Sequence, residues 1–107
     1  MIVLANASTT SRPAEVVKLA QKARLPTIYY AQDFIEHGGL MVYGANHIKS
    51  FHRAATYVDK ILKGARPGDL PVEQPTVFDL VINLKTAKAL GIKVPYAILL
   101  QATRVIE

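Results

Sequence analysis

The chain has 107 residues, half of them apolar and a fifth charged, with a net charge of +5 and no cysteine. Such a composition fits one ordinary globular domain able to bury roughly two-thirds of its unfolded surface, and it excludes a disordered chain, a disulfide framework and thiol chemistry of any kind. The thirteen Lys and Arg residues are scattered, with Lys60, Lys63 and Arg66 the densest group, so the charge reads as a solvated surface and no nucleic-acid partner is expected.

Ile2–Ala5 is a short apolar run without alternation, as expected of a strand buried on both faces. Residues Asn6 to Ser11 read as a polar turn, with Ser11 as N-cap and Pro13 in the first turn of a helix carrying Val16, Val17, Leu19, Ala20 and Ala23. Leu25-Pro26 should end that helix, and Thr27–Ala31 reads as a second strand. Strand, helix and strand in about thirty residues make a βαβ unit with a parallel pair, and ligands of such sheets sit beyond the carboxyl ends of the strands. That geometry places Asn6–Thr10 beside Ala31–Asp33.

Gly38-Gly39 interrupts the pattern before a third strand at Leu40–Tyr43. Asn46 is a good N-cap for a helix with Ile48, Phe51, Ala55, Val58 and Leu62 on one stripe, widened by Ala54 and Ile61; Gly64 should end it and Pro67 prevents its continuation. The proline-rich stretch from Arg66 to Thr76 reads as an extended crossover. Val77–Ile82 is a strand, Asn83 caps a helix over Leu84–Leu90 closed by Gly91, and Pro95 opens a last helix reaching about Thr103. The sum is an α/β chain with a short parallel sheet and flanking helices. No apolar run is long enough to span a membrane, and Met1–Ala5 lacks the regions of a secretory signal, which as written points to the cytoplasm.

Chemistry-bearing groups are few. His47 and His52 are five apart and do not share a helix face as metal pairs do, so no metal or cofactor is expected. Asp33, Glu36 and His37 surround a turn without a nucleophile elbow or oxyanion helix, and Gly38, Gly39 and Gly44 lack the spacing of a phosphate loop. The Asn6–Thr10 segment offers an amide, three hydroxyls and backbone N–H groups: a receptor for a carboxylate, or a simple helix cap. Tyr29 and Tyr30 point to opposite faces if their segment is a strand. Either both serve the core, or one faces a cleft and stacks on a ring-bearing ligand.

Four stretches carry a resemblance: Gly38-Gly-Leu-Met-Val-Tyr-Gly44, Arg53–Gly64, Asp69-Leu-Pro-Val-Glu-Gln-Pro-Thr76 and Leu80–Gly91. They resemble the carboxy-terminal third of solute-binding proteins of ABC importers, in the branch that binds tryptophan or tyrosine, with the type I periplasmic-binding-protein fold. The resemblance implies two lobes closing on a small solute, an ABC permease as partner, an extracytoplasmic location for the full-length family, and no catalysis. By position, residues 1–45 and 77–107 look like second-lobe portions, and 46–65 like a helix of the first lobe. Ligand contacts then fall on Asn6, Ser8, Thr9, Tyr30, Gln32, Asp33, Gly39 and Tyr43, for an amino-acid-like or aromatic carboxylate solute bound weakly or no longer bound. The alternative is a self-associating interaction domain that has lost solute binding. A homodimer, with that helix packed against its partner or exchanged with it in a domain swap, would bury Phe51, Ala55, Val58 and Leu62.

Overall fold

The computed structural model describes residues 1–107, and the chain divides by its internal contacts into two units, Met1–Gly44 with Asp79–Glu107, and Ala45–Phe78. The first unit carries the sheet. Its strands lie in the order β1 (Ile28–Tyr29), β2 (Met41–Ala45), β3 (Phe78–Asn83), β4 (Arg104–Ile106). β1 and β2 are parallel, with Tyr29 opposite Val42, and so are β3 and β4, with Ile82 opposite Val105. The Asn46 N–H donates to the Val77 carbonyl and the Asn83 N–H to the Leu40 carbonyl. The end of β2 therefore lies beside the start of β3, and the two parallel pairs run in opposite directions.

The first residues depart from expectation. Only Ile2 bridges to Ile28, in parallel, and the Val3 N–H donates to the Ile28 carbonyl at 3.0 Å. Val3 is buried, whereas Ile2 and Leu4 are exposed. The run sits at the sheet margin beside β1, and its alternating exposure shows that one face is covered and the other is not. The polar segment expected to be a turn is a short helix, α1 (Ala7–Ser11), capped by Asn6. Ser11, expected to cap the next helix, ends this one, while Arg12 takes that N-cap position without a side-chain bond. The Thr9 N–H donates to Asn6 Oδ1 at 3.0 Å and the Asn6 N–H to Thr9 Oγ1 at 3.2 Å, a reciprocal box that closes the turn locally.

Helix α2 (Pro13–Lys22) begins with its proline as expected and buries Val17 and Ala20. It stops before Leu25-Pro26, because Arg24 takes the left-handed conformation at φ 52°. A one-turn helix, α3 (Asp33–Glu36), then buries Phe34 and Ile35. Phe34 stacks on Tyr29 at 4.7 Å between ring centroids and meets the edge of Tyr30 at 5.3 Å. Around this trio Val3, Val17, Ile35, Val42 and Val81 complete the core. Asn83 caps α5 (Leu84–Leu90) by accepting from the Thr86 N–H, and Gly91 ends it at φ 73°. Helix α6 (Tyr96–Gln101) is shorter than expected, since the chain turns at Ala102 into β4, an edge strand with no forewarning pattern.

The second unit is built on α4 (His47–Leu62), capped by Asn46 through the Lys49 N–H, with Gly64 at φ 109° beyond its end. An extended strap over 66–77, containing one 3₁₀ turn at Pro67–Asp69, follows it. Arg53 Nε donates to Glu73 Oε2 at 2.7 Å, and the guanidinium engages the second carboxylate oxygen as well. The Tyr57 hydroxyl donates to the Pro71 carbonyl at 2.7 Å. Arg53, Tyr57 and Ile61 line the groove so formed, about 1060 Å³ in volume. The strap thus takes one side of α4, while no residue of the helix is buried.

The hydrogen bond from Arg53 is the first cause that holds the Glu73 carboxyl at about 2, below its ordinary 4.5. The folded form binds this proton more weakly than the unfolded chain, so the pairing contributes fully above pH 4.5 and is lost as pH falls towards 2. Both side chains stay well exposed, 51% for Arg53 and 37% for Glu73, so solvent screens the effect and it is local. Backbone NMR relaxation of Val72–Thr76 should show growing motion between pH 5 and about 2, and Glu73→Gln should show that motion at every pH.

Candidate functional site at the strand ends

The carboxyl ends of the Ile2–Val3 bridge, β1 and β2, together with the start of β3, share one edge of the first unit's sheet. Asn6–Thr10, Tyr30–Asp33, Tyr43 and Asp79 lie along it. Alternation along β1 sends Tyr29 into the core, where it is 2% exposed, and leaves Tyr30 half-buried at the edge. Burial pushes the Tyr29 hydroxyl up from its ordinary value, against a hydrogen bond with Thr27. That group belongs to the interior. Tyr30 is held from two sides: Phe34 meets its ring, and its hydroxyl lies 2.6 Å from Thr10 Oγ1. The Thr10 hydroxyl also reaches the Asn6 carbonyl at 2.7 Å.

Asn6 and Thr9 spend part of their bonding capacity on the cap. The Thr9 hydroxyl lies within hydrogen-bond distance of the Leu4 and Asn6 carbonyls, at 3.0 and 3.2 Å. Ser8 is exposed on the first turn of α1. Gln32 and Asp33 are exposed where the chain enters α3, and Gln32 Nε2 donates to Asp79 Oδ2 at 2.9 Å. The Asp79 carboxylate is 6% exposed, so this amide partner offsets part of the cost of burying its charge. Tyr43 is exposed one position beyond the Tyr29–Val42 pair, which sets it beside Tyr30. Between them Gly44 comes so close to the Tyr30 carbonyl that a Cβ there would collide with its oxygen.

Gly39 is placed elsewhere. It enters β2 from the opposite end, donates to the Phe34 carbonyl at 2.8 Å, and is glycine because a Cβ would meet the Phe34 backbone and the Tyr29 ring. The Gly38 carbonyl beside it accepts from Gln21 Nε2 at 2.9 Å and Thr86 Oγ1 at 2.8 Å. Two residues of the edge were not singled out from the sequence. Thr10 stood in the polar segment without its own signal. Asp79, the one charge inside the run Val77–Ile82, could have been noticed as a buried polar residue in an apolar strand. His, Asp and Glu side chains nowhere gather in threes that could hold a metal ion, and no helix is long and apolar enough to cross a membrane.

The first unit is thus an α/β scaffold that presents hydroxyls, amides and a braced tyrosine at its strand ends. The chain belongs to the ABC transporter substrate-binding protein family, whose sequence profile matches residues 1–106. It is similar to a conserved domain protein of Vibrio cholerae O1 biovar El Tor, with 32% identity and a TM-score of 0.89 over 97% of this chain and 35% of that one. It is also similar to an ABC domain from Streptococcus pneumoniae solved in complex with L-Trp, at 30% identity and a TM-score of 0.89, covering 98% of this chain and 36% of that one. A ligand-free, open substrate-binding protein with adhesive properties from Clostridium difficile matches at 27% identity and a TM-score of 0.68, over 98% of this chain and 35% of that one. The chain thus spans about a third of the length of these solved relatives. A comparison with curated proteins gave no match.

Proposed function

We propose that the chain is a solute-binding portion of an ABC importer's receptor, which takes a small amino-acid-like or aromatic carboxylate solute at the strand-end edge and works with an ABC permease outside the cytoplasm. The observation that carries this is Tyr30, ordered in advance by Thr10 and Phe34 at the edge where the polar groups gather. The L-Trp held by the pneumococcal relative supports a ligand with a ring and a carboxylate. In this reading residues 1–45 and 77–107 come from the second lobe and 46–65 from the first. Asn6, Ser8 and Thr9 meet the polar end of the solute; Tyr30 and Tyr43 meet its body; Gln32 and Asp33 border it.

With a third of the relatives' length, the chain supplies part of the cleft, and affinity on the order of a millimolar is expected. Calorimetry with L-tryptophan is the test. Tyr30→Ala should abolish the heat of binding, and Thr10→Val should weaken binding by about threefold to tenfold, the worth of one hydrogen bond. Undiminished binding by Tyr30→Ala would refute the placement.

A second reading, a self-associating domain that no longer binds solute, is favoured by one feature: the α4 stripe is open, with Phe51 77% and Leu62 81% exposed.

A further inference from the structure

The hydrogen bonds along the strand-end edge have directions that their partners dictate. A carboxylate oxygen only accepts, so the Gln32 amide offers Nε2 to Asp79 Oδ2, at 2.9 Å, and Oε1 is the end left over. A carbonyl oxygen also only accepts, so the Thr10 hydroxyl gives its one proton to the Asn6 carbonyl at 2.7 Å. The 2.6 Å contact between the Thr10 and Tyr30 hydroxyls therefore runs from Tyr30 to Thr10. Tyr30 is left with a lone pair and no proton to donate. Two positions apart in the chain, Tyr30 and Gln32 are both left as acceptors.

Asn6 has the opposite polarity. Its Oδ1 accepts from the Thr9 N–H at 3.0 Å, which leaves the Nδ2 of that amide as a donor. The edge is thus divided: Asn6 suits a carboxylate, whereas Tyr30 and Gln32 suit a group that donates. Asp79 lies buried behind Gln32, and its negative charge favours a donor that is also a cation. All of these bonds lie within the first unit, so the polarity of the edge is set by this chain alone.

We propose that Asp79 is a positioning residue that holds the Gln32 amide with its oxygen towards the solute, so that Gln32 Oε1 and the Tyr30 hydroxyl accept from the solute's ammonium group. This rests on the solute-binding reading and narrows its ligand to one with a cationic amine beside the carboxylate. Amide-shift titrations of the whole chain with L-tryptophan and with indolepropionate, which keeps the ring and carboxylate but lacks the amine, test it. L-tryptophan should bind about tenfold more tightly, the worth of one charge-assisted hydrogen bond. Asp79→Asn can donate to Gln32 Oε1 and turn that amide round, so it should bring the ratio within about threefold, with circular dichroism confirming the fold. Tyr30→Phe, which keeps the ring against Phe34 and removes the acceptor, should reduce the ratio to a similar degree. Without solute, a Gln32 Nε2 proton should exchange slowly with water, and Asp79→Asn should speed that exchange. Equal binding of the two solutes overturns the acceptor pair and leaves the solute-binding reading standing. Shifts with neither solute overturn both. A ratio that Asp79→Asn leaves at about tenfold, or a Gln32 amide that exchanges freely in the unaltered chain, overturns the role of Asp79.

Discussion

Phe34→Ala should cost about 3–5 kcal/mol, a large share of the stability of an ordinary domain. Phe34 is 1% exposed and holds Tyr29 by stacking and Tyr30 by its edge, so its removal opens a cavity between two aromatic neighbours at once. Its helix has four residues and no side-chain cap, so α3 has little local strength with which to keep its shape. Phe34→Leu, which keeps much of the volume, should lose less than half as much. Urea titration followed by circular dichroism measures both. A loss under about 1 kcal/mol for the alanine variant would mean that the trio is not the keystone of the core.

Gly44→Ala should be comparably harmful for a different reason. The added methyl would have to enter the space of the Tyr30 carbonyl oxygen, which is backbone and cannot rotate aside. Either β2 separates from the segment after β1, or Tyr30 moves, taking with it the hydroxyl contact to Thr10. Thermal unfolding should fall by more than about 8 °C, the equivalent of at least 1–2 kcal/mol in a chain of this size. Any folded remainder should have lost solute binding. Gly68→Ala is the control, because nothing lies within reach of a Cβ there.

Much of the fold was legible where local signals agree. Asn46 and Asn83 each had the side chain to cap a helix, Gly64 and Gly91 the freedom to end one, and α4 and α5 follow within a residue or two. The strand Phe78–Asn83 was plain as an apolar run after a proline-rich stretch. Other elements had no such agreement. β4 is three residues long, too short for any period to show, and exists through pairing with β3; β1, read from the sequence over Thr27–Ala31, keeps only two residues as strand. Helix α1 announces itself only through Asn6 and Thr9, a capping box with threonine in place of the usual acid, and otherwise reads as a turn. The reversal of direction between β2 and β3 depends on the path of the whole second unit, which no local pattern encodes. At the candidate site, the different fates of Tyr29 and Tyr30 followed from strand alternation. Thr10 and Asp79 could be recognised only once the chain had brought them beside Tyr30 and Gln32.

The most direct measurement of the central claim is a titration of the ¹⁵N-labelled chain with L-tryptophan, read residue by residue from amide shifts. Binding at the strand ends predicts saturable shifts at Asn6–Thr10, Tyr30–Asp33 and Tyr43, spreading through Gln32 to Asp79, with Gly39 quiet. Shifts confined to Lys85–Glu107, with Asn6 to Thr10 unmoved, would contradict it.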